Sequence, residues 1–166
     1  MFKGTYHLRI DPKGRVPVPA AFRRLLGGAV GRLVVTVLDQ CLAAYPPSEW
    51  ERLETQLRAL PAFSRPVKAV TRLLASRAAD CVLDVQGRIL LPPALRAAAS
   101  LQREAVVVGV LDRFEIWAPG AWDAFLQESE RALDDVSLDI PWPLPQPSPS
   151  PGAPSPPRHP QGKPNR

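Results

Sequence analysis

The chain has 166 residues, of which 45% are hydrophobic and 22% are charged, the proportions of a soluble globular protein. It has no apolar run of about 18 residues and no apolar N-terminal signal, so neither a membrane span nor secretion is expected. Two cysteines and two histidines are too few for a disulfide framework, and they make a metal site or histidine-based catalysis unexpected. We expect a cytoplasmic protein that needs no cofactor.

The net charge of +5 is concentrated at the start of the chain. Residues 1–32 contain seven Lys or Arg and one Asp, whereas residues 78–140 contain five basic and eleven acidic residues. A basic N-terminal region indicates a polyanionic partner at that end. An unevenly charged, solvated surface is the simpler explanation, and charge alone favours it.

An internal repeat organises the chain. Residues 11–23 and 84–96 align without gaps at an offset of 73, and six of the thirteen positions are identical. Two copies of one unit are therefore present. We divide the chain into a first repeat, a helical linker, a second repeat and a proline-rich disordered tail, at residues 1–60, 61–78, 79–135 and 136–166.

The first repeat begins with a predicted β-hairpin. One strand ends at Ile10, turns at residues 11–14, and continues into a strand with Val16 and Val18 on its apolar side. Gly14 provides the positive φ that the turn requires, and Asp11 is expected to accept hydrogen bonds from the amides of the turn. Asp84 and Gly87 take the same turn-forming roles in the second repeat.

Helices follow in a fixed order. In the first repeat they are predicted at residues 20–26 and 49–60, the second with a capping box of Ser48 and Glu51. A linker helix over residues 66–77 has Ser64 as a possible cap, and the second repeat has helices at 93–99 and 120–133. Each repeat has only four short strands, so we expect both to share one core: a mainly β fold with flanking helices (α+β), built as a pseudo-twofold β-barrel.

The alternation of the first hairpin predicts a basic face. If Leu8 and Ile10 point inward, Arg9 points outward, and the same argument turns Arg15 outward. Arginine can bind a phosphate, or a guanine edge through two parallel hydrogen bonds. We expect the arginines of the next short helix to lie beside the same hairpin, which gives the predicted nucleic-acid contacts Arg9, Lys13, Arg15, Arg23 and Arg24.

The second hairpin keeps Gly87 and Arg88 but has Gln86 where the first has a lysine. Its outward positions include the apolar residues Val82 and Leu90, and an exposed apolar strand face usually marks an interface. We therefore expect the first copy to read nucleic acid and the second mainly to hold the barrel or a neighbouring subunit together. Arg88 is either a residual DNA contact or a turn-stabilising partner of Asp84.

These residues resemble the MraZ family of bacterial transcriptional regulators of the division and cell-wall gene cluster. The resemblance rests on the start Met1-Phe2-x-Gly4, on Asp11-x-Lys13-Gly14-Arg15, on Asp84-x-x-Gly87-Arg88 and on Phe114-Glu115-Ile116-Trp117. It implies tandem AbrB/SpoVT-like domains in a swapped-hairpin barrel. It also implies a ring-like homo-oligomer, associated with the nucleoid, that binds direct repeats in double-stranded DNA upstream of its own operon. The resemblance places the family's DNA-contact motif on Lys13 and Arg15 and, in the second copy, on Arg88.

Two other classes of protein are compared with this prediction. AbrB-type barrels also serve as antitoxins or protein-interaction modules, but the tail here is rich in proline and has few apolar anchors apart from Trp142. No phosphate-binding glycine loop, nucleophile elbow or Cys-His pair indicates an enzyme, and no small-molecule substrate is expected. Cys41 and Cys81 fall on strand positions and are predicted to be buried.

Overall fold

The computed structural model describes residues 1–27, 31–61 and 63–135, and the predicted proline-rich tail lies outside them. The prediction of a mainly β protein with flanking helices is confirmed. In chain order the elements are β1 (Phe2–Arg9), β2 (Arg15–Pro17), α1 (Ala20–Leu25), β3 (Arg32–Leu38), β4 (Cys41–Tyr45), α2 (Pro47–Ala59), α3 (Arg65–Ser76), β5 (Ala79–Val82), β6 (Arg88–Leu90), α4 (Pro93–Ala98), β7 (Glu104–Leu111), β8 (Arg113–Trp117) and α5 (Pro119–Asp135).

The two repeats are interleaved rather than side by side. Six strands form one antiparallel sheet in the order β1-β7-β8-β4-β3-β5, and β2 pairs with β6 in a separate two-stranded ribbon. The ribbon is extended by hydrogen bonds from the Val18 amide to the Gly87 carbonyl (2.9 Å) and from the Leu91 amide to the Gly14 carbonyl (3.1 Å). Each turn is thus bonded to the strand end of the other repeat.

The ribbon and one face of the sheet enclose a single core. Val16 and Val18 of the first repeat and Ile89 and Leu91 of the second are all buried there, together with Ile10. This confirms the inward direction predicted for the first hairpin. Because both repeats contribute to the same apolar cluster, neither can bury its own strands alone.

The other face of the sheet is covered by the longer helices. The Thr36 hydroxyl of β3 donates a hydrogen bond to the Leu74 carbonyl of α3 (2.8 Å), which satisfies a buried polar group. Trp117 of β8 packs against Trp122 and Phe125 of α5, with ring centroids 5.6 and 5.1 Å away. Among the described residues, no helix has the length and apolar character to cross a membrane.

The predicted capping box of α2 is wrong. The helix begins at Pro47, its N-cap residue is Pro46, and no side chain caps it, so Ser48 lies inside the helix. Proline suits the first turn because it has no amide hydrogen to leave unpaired there. Ser64 does occupy the N-cap position of α3, but its side chain makes no capping hydrogen bond.

Both cysteines are buried, as predicted. Burial raises the pKa of the Cys81 thiol to about 11 and raises the pKa of Cys41 further still. Each thiol therefore stays protonated near neutral pH, where the reactive form is the thiolate. The two cysteines act as small apolar residues of the sheet.

Candidate nucleic-acid interface

The first hairpin turn, which we call loop 1 (residues 11–15), is held by one carboxylate. Asp11 Oδ1 accepts hydrogen bonds from the backbone amides of Lys13 and Arg15, each at 2.9 Å. The Gly14 amide donates to the Asp11 carbonyl (2.9 Å), and Gly14 has φ +87°, a conformation that other residues rarely adopt. The loop is therefore shaped by its own residues, and Lys13 is exposed on it.

The second hairpin turn, loop 2 (residues 84–88), repeats this geometry. Asp84 Oδ1 accepts hydrogen bonds from the amides of Gln86 and Arg88, each at 2.9 Å, and Gly87 has φ +74°. Asp84 and Gly87 thus occupy the same places in loop 2 as Asp11 and Gly14 in loop 1. Gln86 is exposed, at the position that corresponds to the lysine of loop 1.

The arginines of the two loops differ in how their nitrogens are used. Arg15 donates from Nε to Asp11 Oδ2 at 2.5 Å, and its two terminal nitrogens have no hydrogen-bond partner among the described residues. Arg88 donates from Nε and Nη2 to Asp84 Oδ2, at 2.8 and 2.7 Å, and its Nη1 lies 3.7 Å from Asp11 Oδ2. All three guanidinium nitrogens of Arg88 thus face carboxylates, whereas Arg15 keeps a free fork.

Both aspartates of the loops have depressed pKa values. The Arg15 backbone amide is the main group that lowers the pKa of Asp11 below 3.8, and the Arg88 side chain is the main one at Asp84. A carboxylate with a lower pKa in the folded chain contributes stability above its unfolded pKa, and this contribution disappears as the pH falls through the folded value. The loops are therefore stabilised by ionised aspartates.

We expect the chain to lose stability as the pH falls from about 4 toward the lowered folded pKa values. Asp84→Asn should lower the thermal midpoint at neutral pH and flatten its decline in acid, because one of the two titrating groups is removed. Thermal unfolding followed by circular dichroism between about pH 7 and pH 3 measures both effects. Asp123→Asn, at an exposed position of α5, is the matched control and should keep the wild-type profile. An unchanged acid profile in Asp84→Asn would contradict this account.

Arginines of one repeat pack on the loop of the other. Arg23 of α1 donates from Nη1 to the Gln86 carbonyl of loop 2 at 3.3 Å, and a Cβ added to Gly87 would lie 2.8 Å from Arg23 Cζ. In the other direction, a Cβ added to Gly14 would lie 2.7 Å from Nε and Cζ of Arg96 of α4. Each loop glycine is therefore covered by an arginine of the other repeat, whose side chain would have to shift if the glycine carried a Cβ.

This placement corrects one expectation from the sequence. Arg23 and Arg24 lie beside loop 2, not beside the first hairpin, and together with loop 2 they line a cleft of about 420 Å³. The physical reason is the pairing of β2 with β6, which carries the helix after each ribbon strand across to the other repeat. The second loop therefore regains positive charge that its own sequence lacks.

Sequence reasoning missed two arginines near loop 1. Arg9, exposed at the end of β1, lines a cleft of about 1010 Å³ with Asp11, and the same cleft is lined by Arg96 and Arg103. The signal for Arg96 was available, because the offset of 73 makes it the counterpart of Arg23. For Arg103 the repeat gives no such basic counterpart. Within the described part of the chain, no group of three His, Cys, Asp or Glu is placed to hold a metal ion.

Comparison with known proteins identifies one family. A family model described as "MraZ protein, putative antitoxin-like" matches twice, at residues 1–73 and 74–137. Similar curated proteins named "Transcriptional regulator MraZ" include one from Ligilactobacillus salivarius, 45% identical over 140 residues that cover 84% of this chain and 96% of the relative. Others come from Limosilactobacillus reuteri (43% over 140 residues; 84% and 97% covered) and Azotobacter vinelandii (40% over 144 residues; 85% and 95% covered).

Proposed function

The chain belongs to the MraZ family, and we propose that it is a DNA-binding transcriptional regulator without catalytic activity. The name of the relatives, which the chain matches over almost their whole length, supports this role. The observation that carries the proposal is the fork of Arg15, which Asp11 holds by Nε while both terminal nitrogens have no partner among the described residues. Such a fork can make two parallel hydrogen bonds to a guanine edge or to a phosphate.

We propose that Lys13 and Arg15 of loop 1 make the main contacts and that Arg88 orders loop 2. Arg88 directs its three guanidinium nitrogens at carboxylates, so it has no free fork for a base. Positive charge beside loop 2 comes instead from Arg23 and Arg24 of the first repeat, which suit phosphates rather than base edges. The two loops then differ in role although they share one backbone geometry.

The proposed target is a set of direct repeats in the promoter DNA upstream of the protein's own operon, in the division and cell-wall gene cluster. A loop with few contacts binds weakly, so a ring-like homo-oligomer that meets several repeats gains affinity by avidity. Exposed apolar side chains around loop 2 suit a contact with a neighbouring protomer: Val82, Val85 and Leu90 are 58%, 99% and 56% exposed. The protein would act in the cytoplasm, associated with the nucleoid.

Footprinting on the DNA upstream of the protein's own gene tests the proposal, together with the native mass of the free protein. We expect protection at evenly spaced repeats, a mass that is a multiple of the 18.2 kDa chain, and loss of the pattern when the repeats are scrambled. The alternative, an antitoxin-like interaction module, predicts a tightly bound small protein partner and no protected repeats. Absence of any protected repeat at low salt would contradict the proposal.

A further inference from the structure

The larger cleft beside loop 1 has an unusual concentration of arginine. Its walls come from residues 9–12, which lead into loop 1, and from the segment between the end of α4 and the start of β7. Arg9 lies on the first wall, and Arg96 and Arg103 lie on the second. The Ile10 amide donates to the Arg103 carbonyl (2.9 Å), so the two walls are joined by the backbone. The cleft is therefore a fixed part of the fold.

Within the described part of the chain, the three arginines have no carboxylate partner. Among the described residues, none of them lies within 4.0 Å of a carboxylate oxygen, although Asp11 and Glu104 also line the cleft. Asp11 is already engaged by the guanidinium of Arg15, which leaves Glu104 alone to balance three cations. A concave surface with this excess of positive charge concentrates anions.

The side chain of Arg96 is restricted by its packing against loop 1. Its Nε is buried without a hydrogen-bond partner among the described residues, and its guanidinium packs against Gly14 of loop 1 while it also lines the cleft. A guanidinium fixed in this way loses little conformational entropy when it binds an oxyanion. Arg96 therefore links the geometry of loop 1 to the occupancy of the cleft.

We propose that this cleft binds a phosphate group of the DNA backbone, next to the bases or phosphates that loop 1 contacts, through Arg9, Arg96 and Arg103. The inference rests on the proposed DNA-binding function; it adds Arg96 and Arg103 to the DNA contacts and assigns Arg9 to a phosphate. Two observations favour the DNA backbone over a free nucleotide. The cleft is continuous with loop 1 through Asp11 and Pro12, and none of its lining residues is an aromatic ring on which a free base could stack.

The second repeat does not reproduce the cleft. The position that corresponds to Arg9 is Val82, which is exposed and apolar, and the smaller cleft beside loop 2 has Arg23 and Arg24 instead. The combination of Arg9, Arg96 and Arg103 is therefore specific to loop 1. The proposed phosphate contacts of these three arginines thus lie beside loop 1, where the terminal nitrogens of Arg15 have no partner among the described residues.

The salt dependence of DNA binding tests the inference with Arg103→Ala, Arg9→Ala and the double variant. Each lost phosphate contact should reduce the slope of log K against log salt by about 0.9 per engaged protomer, and the double variant by about twice that. Discrimination between repeat-containing and scrambled DNA should stay as in the wild type, because phosphates carry no sequence information. Arg72→Ala is the matched control: this exposed arginine lies on α3, on the opposite face of the sheet, and the slope should not change.

The outcomes are distinguishable. Wild-type protein that binds no DNA would overturn the proposed function itself. Wild-type binding with an unchanged slope in the double variant, at an unchanged thermal midpoint, would overturn the phosphate cleft alone. In a second arm, the free protein is titrated with inorganic phosphate and followed by phosphorus NMR. Saturable binding that needs Arg103, combined with an unchanged DNA slope, would show a free-anion site and refute the DNA assignment.

Discussion

Replacing Arg15 with alanine should abolish specific promoter binding while the chain stays folded. The guanidinium of Arg15 is joined to loop 1 by Nε only, and its terminal nitrogens face no acceptor among the described residues. A bidentate arginine contact with a base is worth about 1–3 kcal/mol, or roughly 5-fold to 150-fold in affinity, for each loop engaged. Because several protomers bind together in the proposed ring, the losses multiply.

Two further variants separate base reading from charge and from folding. Arg15→Lys keeps the charge but loses the planar fork, so it should retain non-specific binding and lose discrimination between repeat-containing and scrambled DNA. Arg88→Ala should instead lower the thermal midpoint, because it removes the guanidinium that donates two hydrogen bonds to Asp84 Oδ2. Gel shifts and thermal unfolding measure the three variants side by side. Unchanged affinity of Arg15→Ala for the repeats would refute the assignment of loop 1 as the reading element.

The local features of the hairpins could be predicted from the sequence. Alternation placed Val16 and Val18 inside, and both are buried. The turn signal at Gly14 predicted a positive φ, and the structure has +87°. Such features depend on residues close in the chain, where sterics and side-chain period leave few choices.

The partners of the helix arginines could not be predicted in the same way. Proximity in the chain placed Arg23 beside the first hairpin, yet it donates to the carbonyl of Gln86, 63 residues away. The cause is the ribbon, whose pairing of Val16 with Ile89 is a long-range contact with no local signal. The pairing of β2 with β6 moves the short helix after each ribbon strand to the other repeat, so the charge of a loop has to be counted across both copies.

The start of α2 is a second feature that was not predicted correctly from the sequence. Ser48 and Glu51 have the spacing of a capping box, but Pro46 and Pro47 precede them and set the backbone angles earlier. Proline fixes φ near the helical value and has no amide hydrogen, so the helix begins at the proline and needs no side-chain cap. The two prolines, and not the spacing of Ser48 and Glu51, therefore determine where α2 begins.

Phe22→Ala should produce the largest loss of stability of any change considered. Phe22 of α1 is 1% exposed, and its ring meets those of Phe2, Tyr6 and Phe114 at centroid distances of 5.2, 5.2 and 5.4 Å. Truncation of a buried phenylalanine costs about 3–5 kcal/mol, which for a chain of this size lowers the thermal midpoint by roughly 6–20 °C. Chemical denaturation and calorimetry measure the loss.

Phe22→Ala should also affect the two loops unequally. Arg23 follows Phe22 on α1 and packs on Gly87, so a loosened α1 should release loop 2 before loop 1. Hydrogen exchange should therefore quicken first at the Gly87 and Arg88 amides, which donate to carbonyl and carboxylate oxygens of Asp84. Phe22→Leu keeps most of the volume and should cost less than about 1.5 kcal/mol, with little change in exchange. A loss below about 1 kcal/mol for Phe22→Ala, or equal exchange in both loops, would mean that α1 does not hold the loop of the opposite repeat.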